Sequence, residues 1–409
     1  VATTSPLDGP QGAEREVRFW PMRDLAGLDF DPLLAELLAN DPVTRIRLPQ
    51  GEGDAWLVTR YRDVQFVSND PRFSRKAVRG RSVTRVAPHF IPLDQAVNFF
   101  DPPEHTRVRR TVAKAFAARR MRALQPRVQQ LADELLDAVE RHGPPADLVA
   151  MLHAPFPLAA LSTLMGVPPE DWPRIDDWTE RVLSAARGRQ DSDRAKAEMG
   201  AYYADLLRHR LAEPREDLVS TLARAVREEQ ATEEEMAATA VLIHSSGIHA
   251  VRNNSANMVY ALLTHPRQLD RLRADRSLLP QAVEELLRFI PHRNGVGLSR
   301  IAVADVEVGG VLIREGDAVY VSYLSANRDP AVFADPDALD FDRQHNPHLA
   351  FGHGPHHCLG ASLARMESQM MLAGLLDRFP ELRLAVPVEQ VRWRASALIR
   401  GPVALPVTW

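Results

Sequence analysis

The chain has 409 residues, 45% of them hydrophobic and 25% charged, with a formal net charge of −4. These are the proportions of an ordered globular protein, and the slightly acidic balance excludes a chain whose overall field captures nucleic acid, leaving only local basic patches. A single cysteine, Cys358, excludes an intrachain disulfide and any multi-cysteine zinc site.

No run approaches the roughly 18 uninterrupted apolar residues of a membrane-spanning helix, and Val1 to Gln11 lacks the basic start and apolar stretch of a secretory signal. A cytoplasmic protein without membrane contact is expected. In chain order, Asp54 to Tyr61 (DAWLVTRY) reads as a strand, Asp63 to Ser68 as helix and Arg75 to Gln95 as loop. From Glu104 to His142 apolar positions recur at helical spacing, with a break expected near Gln125-Pro126. Within this stretch His105 and Arg109, four apart, share a helix face and could clamp an anion. Arg107, Arg110, Lys114, Arg119, Arg120 and Arg122 make the same region strongly basic.

Pro155 to Ala160, the turn Val167-Pro168-Pro169 and the polar stretch Arg187 to Asp193 are read as interruptions between further helices up to about Arg227. A long helix then opens at Thr232, whose hydroxyl forms a capping box with Glu235, and runs to Thr264 before His265-Pro266. At 1.5 Å per residue it spans about 48 Å, the width of a domain. A helix over Leu278 to Phe289 carries Glu285 and Arg288, an acid and a base three apart on one face. Ser299 to Tyr323 alternates apolar and polar residues around Gly309-Gly310 and Glu315-Gly316, the pattern of strands and turns. A helix over Ala361 to Phe379 and short extended segments from Leu382 to Trp409 complete the chain, with no repeat or linker.

The segment FGHGPHHCLG at 351–360 delivers Cys358 to the start of that last long helix. Unpaired backbone N–H groups and the positive end of the helix dipole favour a thiolate there, which predicts a lowered cysteine pKa. Glycines at 352, 354 and 360 let the backbone bend sharply and approach a flat group closely. The alternative is a buried structural cysteine in a glycine-rich turn.

Phe351, Gly352, Gly354, His356, Cys358 and Gly360 match the F-G-x-G-x-H-x-C-x-G signature, and by it the chain resembles the cytochrome P450 family from about Phe30 to Trp409. The resemblance implies a mainly α fold with a smaller β region, a single domain over 1–409 with residues 1–29 as an N-terminal extension, and a long central helix over the haem. It implies haem b as cofactor and O2 as co-substrate, with Cys358 as the axial iron ligand, Phe351 packed near the sulfur and the Gly360 N–H donating to it. Thiolate donation to haem iron favours O–O cleavage. His105, Arg109, Arg300 and His356 are implied near the haem propionates, and Gly352 in the haem seat. Glu285, Arg288 and Arg343 resemble the family's buried Glu-Arg-Arg network supporting the cysteine loop, a structural role. The basic region around Arg107 to Arg122 borders the surface where relatives receive electrons, so a ferredoxin and a ferredoxin reductase are the implied partners.

The resemblance fails locally in the long helix. The usual A-G-x-[D/E]-T-[T/S] segment aligns with SGIHAV at 246–251, so His249 stands for the acid and Ala250 for the threonine whose hydroxyl helps deliver protons to dioxygen. Protons are therefore expected from a substrate hydroxyl with ordered waters, in preference to Ser246 one turn earlier or His249, for which a helix-packing role is the stronger reading. Gly247 is expected to permit the helix distortion that makes room for dioxygen. By position in the family pattern, substrate contacts fall in Val78 to Phe90, Leu183 to Arg189, Leu242 to Ala250, Val296 to Leu298 and Ala397 to Ile399, with Phe90, Leu242, Ser245, Ser246, Val296, Leu298 and Ile399 as pocket residues. His244, Ser245 and Arg252 are candidates for the pocket's polar groups.

The expected function is hydroxylation or epoxidation of a small organic specialised metabolite, free or carried on a carrier protein, in an actinobacterial setting. The alternatives are oxidative coupling, cyclisation or desaturation without net oxygen insertion and, in another class, a haem-based sensor or carrier.

Overall fold

A computed structural model of the chain describes residues 16–21, 24–86, 95–183, 188–293, 295–395 and 398–409. Its centre is the helix Glu233–Thr264. The Thr232 hydroxyl accepts from the Glu235 N–H at 3.1 Å while the Glu235 carboxylate accepts from the Thr232 N–H at 2.9 Å, closing the expected capping box. At the far end the chain leaves the helix at His265, and Pro266 opens the next helix, Pro266–Ala274. The helices Pro155–Met165, Trp172–Leu183, Gly188–Ala212 and Ala361–Arg378 all pack on it. Residues on nearly every side of the central helix are therefore buried, from Met236 to Leu262.

The β region is a six-stranded sheet in the order 18–19, 43–47, 55–58, 318–321, 300–302, 73–74. Strand 55–58 lies parallel to 318–321 with Trp56 opposite Val319, and 300–302 returns antiparallel with Arg300 also opposite Val319. A hairpin, Val306–Val308 with Val311–Ile313, and a small sheet of 383–384, 406–408 and 146–147 complete it. The fold is mainly helical with a smaller β part, as expected. The segment read as an N-terminal extension supplies the edge strand Arg18–Phe19 and the buried Trp20, whose indole N–H donates to Asp31 at 2.9 Å.

Three local expectations are corrected. The helix Ala118–His142 runs straight through Pro126, which sits on its solvent face while Met121, Val128, Leu131 and Leu136 keep the opposite stripe buried. Water can take the carbonyl that proline leaves unpaired there, so the break falls instead at Ala117, where ψ is 147°. Pro155 to Ala160 does not interrupt but starts a helix, with Pro155 in the first turn, where its missing N–H costs nothing. From Gly188 on, the polar stretch belongs to a helix reaching Ala212, because Ser192, Ala195, Met199 and Tyr203 form a buried stripe beneath it. Within the expected 75–95 loop, Lys76–Val78 form a short 3-10 turn. Among the described residues no helix is long and apolar enough to cross a membrane.

Candidate active site

The cysteine loop is tied by its own backbone. Gly352 N–H donates to Leu349 C=O at 2.9 Å, His357 N–H to Gly354 C=O at 3.0 Å and Cys358 N–H to Phe351 C=O at 2.9 Å. Gly354 has φ +71°, and a Cβ there would stand 2.7 Å from the Ser68 carbonyl oxygen, so only glycine lets the loop lie on the end of the helix Tyr61–Asn69. Cys358 stands two residues before Gly360, the N-cap of Ala361–Arg378.

Cys358 is solvent-accessible, although enough protein surrounds its thiol for desolvation to act on it. The expected fall in its pKa does not occur among the chain's own groups. Burial pushes the thiol up, against the Gly360 N–H and the charges of Arg109 and Arg365, which pull it down. Desolvation outweighs the helix terminus here, and the thiolate needs a further cation to face it.

Behind the loop lies the carboxylate network read from sequence. Arg288 donates to Glu285 through Nε at 2.8 Å and Nη2 at 2.7 Å, and Arg343 Nε reaches Glu285 Oε2 at 3.2 Å, with Glu285 and Arg288 fully buried. Arg288 also donates to the carbonyls of Asn327, Pro336 and Ala338, and the Asn327 side chain accepts from Leu349 N–H at 2.7 Å. The network thus ends on Leu349, two residues before the cysteine loop, and the Leu349 carbonyl in turn accepts from the Gly352 N–H.

A second cluster gathers His105, Arg109, Arg300 and His356 with Arg75. The imidazoles of His105 and His356 stack with centroids 4.2 Å apart. Burial, Arg109 and Arg75 push His105 down to about 4, and burial with Arg75, His105, Arg300 and Arg109 pushes His356 lower still. Arg75 itself falls to about 9 through burial and the neighbouring Arg300. His105 Nε2, Arg75 Nε and Arg300 Nη2 are buried with no hydrogen-bond partner among the described residues. Cations do not crowd together with unpaired donors unless an anion belongs among them. Arg75 was not anticipated. It lies in the stretch read as loop, beside a two-residue strand, Phe73–Ser74, too short to register as periodicity.

On the central helix, Leu242, Ser246 and Ala250 are four apart on one face and form an accessible strip, with Ser246 exposed and the other two half-buried. Ser246 donates its hydroxyl to Leu242 C=O at 2.6 Å. Ser245 is buried and donates to Val241 C=O at 2.6 Å, and His244 is enclosed between Ser162, at 3.1 Å, and Tyr203, so neither side chain joins that strip. Gly247 has a packing reason for being glycine: a Cβ would lie 2.6 Å from Leu161 Cδ2, and the helix is regular through it. His249 turns to the helix Trp172–Leu183, with Nε2 3.5 Å from Glu180 Oε2, and burial lowers its pKa to about 4. Arg252 approaches the same carboxylate at 4.0 Å.

Val296 is buried in a cluster with Val78, Val83, Val86 and Ile301, against which Leu298 is half-buried. Ile399 is half-buried, pairs with Arg293 through the backbone, and its carbonyl accepts from Asn253 at 3.0 Å. Phe90, part of Leu183 to Arg189 and Ala397 lie outside the described residues.

An accessible thiol at a helix start and a cluster of basic side chains with unpaired donors are the groups that a cofactor bearing carboxylates and a thiolate-ligated metal would use. The residues present fit haem on this chemistry. The family model for cytochrome P450 matches residues 181–390. The chain is 48% identical to biflaviolin synthase CYP158A1 of Streptomyces coelicolor, covering 96% of each protein, and 49% identical to nocardicin C N-oxygenase of Nocardia uniformis, covering 96% of this chain and 99% of the relative. Cytochrome P450mel 107F1, solved as an enzyme with biaryl coupling reactivity, superposes with a TM-score of 0.93 at 46% identity over 96% of this chain and 100% of that one. The chain belongs to the cytochrome P450 family and is a haem-dependent oxidoreductase.

Proposed function

We propose that the chain binds haem b with Cys358 as axial ligand and oxidises a small organic specialised metabolite by hydroxylation or epoxidation, using O2 and electrons from a ferredoxin and its reductase. The unpaired donors of His105, Arg75 and Arg300 carry this reading, because they ask for the two carboxylates that haem brings. His356 and Arg109 complete the seat. Phe351, Gly352 and Gly360 belong to the sulfur side, and Glu285, Arg288 and Arg343 hold the loop in register. Haem with an axial thiolate supplies O–O cleavage and a strong oxidant. The whole chain acts as one domain in the cytoplasm, on a substrate that is free or tethered to a carrier protein.

The chain's own residues bind and orient the substrate and manage protons. Leu242, Ser246 and Ala250 form the wall beneath which the substrate lies, with Val296, Leu298 and Ile399 around it. Gly247 keeps that wall against Leu161, leaving Leu242, Ser246 and Ala250 toward the substrate. Ala250 offers no hydroxyl, Ser246 already donates to a carbonyl, and His249 faces Glu180 as a neutral ring at neutral pH. The two protons consumed when one oxygen atom leaves as water therefore come through the substrate's hydroxyl groups and ordered water.

A second reading is favoured by the names of two relatives, one a biflaviolin synthase and the other with biaryl coupling reactivity. In it two C–H bonds are lost and one C–C bond forms. The two electrons and two protons released, with two electrons from the ferredoxin and two protons from water, reduce O2 to two waters without insertion. The mass of the product formed with a surrogate ferredoxin and reductase decides between a gain of one oxygen and a loss of two hydrogens. A substrate that shifts the haem absorption to the blue yet consumes no reducing equivalents would contradict both readings and leave a sensor or carrier.

A further inference from the structure

Glu284 and Glu285 are adjacent on one helix and bond different partners. Glu285 enters the buried arginine network, whereas Glu284 accepts from Arg365 Nε at 2.6 Å and Nη2 at 2.7 Å, with His348 Nε2 at 3.0 Å. Burial raises the Glu284 carboxyl, but the bonds from His348 and Arg365 win and hold it at about 2, so it is ionised at any working pH. The Arg365 guanidinium lies 4.5 Å from the centroid of Phe351, whose ring is flanked by His348 and His357 at 6.2 and 6.3 Å. The Phe351 carbonyl accepts the Cys358 N–H. Glu284, Arg365, Phe351 and Cys358 therefore form one contiguous chain of contacts, and Arg365 is one of the two cations acting on the sulfur.

We propose that Arg365 and Glu284 are positioning residues that set the electron demand on the Cys358 sulfur, the guanidinium drawing negative charge toward itself across Phe351 and the carboxylate attenuating that pull. The proposal rests on the haem-thiolate reading above. It assigns the pair opposite signs. Removing the cation disfavours the reduced, more negative state, whereas removing the carboxylate leaves the cation unopposed and favours it. Loosening of the loop, the merely structural role, would move both variants the same way.

The test is the ferric/ferrous midpoint of the purified holoenzyme, with the C–O stretch of its carbon monoxide complex as a second readout. Arg365→Gln should shift the equilibrium about tenfold against reduction, a fall of about 59 mV for one electron, with a lower C–O stretch. Glu284→Gln should move both quantities upward, and Arg365→Lys, which keeps the charge, should stay within about twofold of the parent. If Arg365→Gln takes up no haem, the Glu284→Gln and Arg365→Lys pair decides by the same signs. Shifts of equal sign, or no shift in Glu284→Gln, overturn the proposal. Loss of the thiolate–carbon monoxide band in the parent protein would instead overturn the reading beneath it.

Discussion

The imidazole of His105 lies against that of His356 with centroids 4.2 Å apart, and burial and the surrounding arginines push both rings down from their ordinary pKa. One comes from the helix Glu104–Ala113 and the other from the cysteine loop, so this contact joins that helix to the loop that carries Cys358. The unpaired donors of His105, Arg75 and Arg300 beside these rings are what the proposed haem carboxylates would satisfy.

Arg75 is the residue of this cluster that the sequence did not reveal, and its loss should be felt in cofactor retention. Arg75→Met removes a buried charge-assisted donor, worth about 1.5–3 kcal/mol. The expected outcome is haem transfer to apomyoglobin at least about tenfold faster than from the parent, with the secondary structure unchanged by circular dichroism.

Breaking the Glu285 network should cost folding and not chemistry. Glu285→Gln leaves Arg288 buried without its counter-charge, a loss of about 3–5 kcal/mol. Thermal unfolding of the purified variant should occur well below that of the parent, or the variant should accumulate as insoluble protein.

Acid should destabilise the fold through histidines buried as neutral rings. His244, enclosed by Ser162 and Tyr203, and His153, beside Ser255, are each pushed to about 3 by burial. Their unfolded value is about 6.5, so between roughly pH 6.5 and 3 the unfolded chain binds more protons and stability falls as pH falls, by up to about 1.4 kcal/mol per pH unit for each ring. Urea midpoints measured from pH 7 to pH 5 should decline, and His244→Gln should show a shallower decline.

Position 250 tests the source of protons. Ala250→Thr places a hydroxyl one turn beyond Ser246 on the accessible strip. If protons normally pass through substrate and water, the added hydroxyl should change product formed per electron consumed. Unchanged coupling would remove this position from proton delivery. Gly247→Ala is the structural control. Its Cβ meets only the movable Cδ2 of Leu161, and alanine's better helix propensity offsets the repacking, so stability should change by no more than about 1 kcal/mol.

What could be read from sequence was what local chemistry dictates. The Thr232–Glu235 box needs only three intervening steps of chain, and the cysteine loop needs glycines at fixed offsets, so both were legible. The break expected at Pro126 was not found, because whether an exposed proline stops a helix depends on the solvent at its face. Arg75 was illegible because its neighbours come from three distant segments, the helix at 104–113, the strand at 300–302 and the loop at 351–360. The direction of His249 likewise depends on Glu180, far away in sequence. The helix start that pulls the cysteine thiol down is visible in sequence, whereas the burial that pushes it up is not.

The central claim is a bond between the Cys358 sulfur and haem iron. The most direct test is the absorption difference of the reduced protein with and without carbon monoxide. A thiolate-ligated haem gives a band at about 450 nm, and Cys358→Ser should abolish it. A parent protein that binds haem but shows no such band would contradict the account.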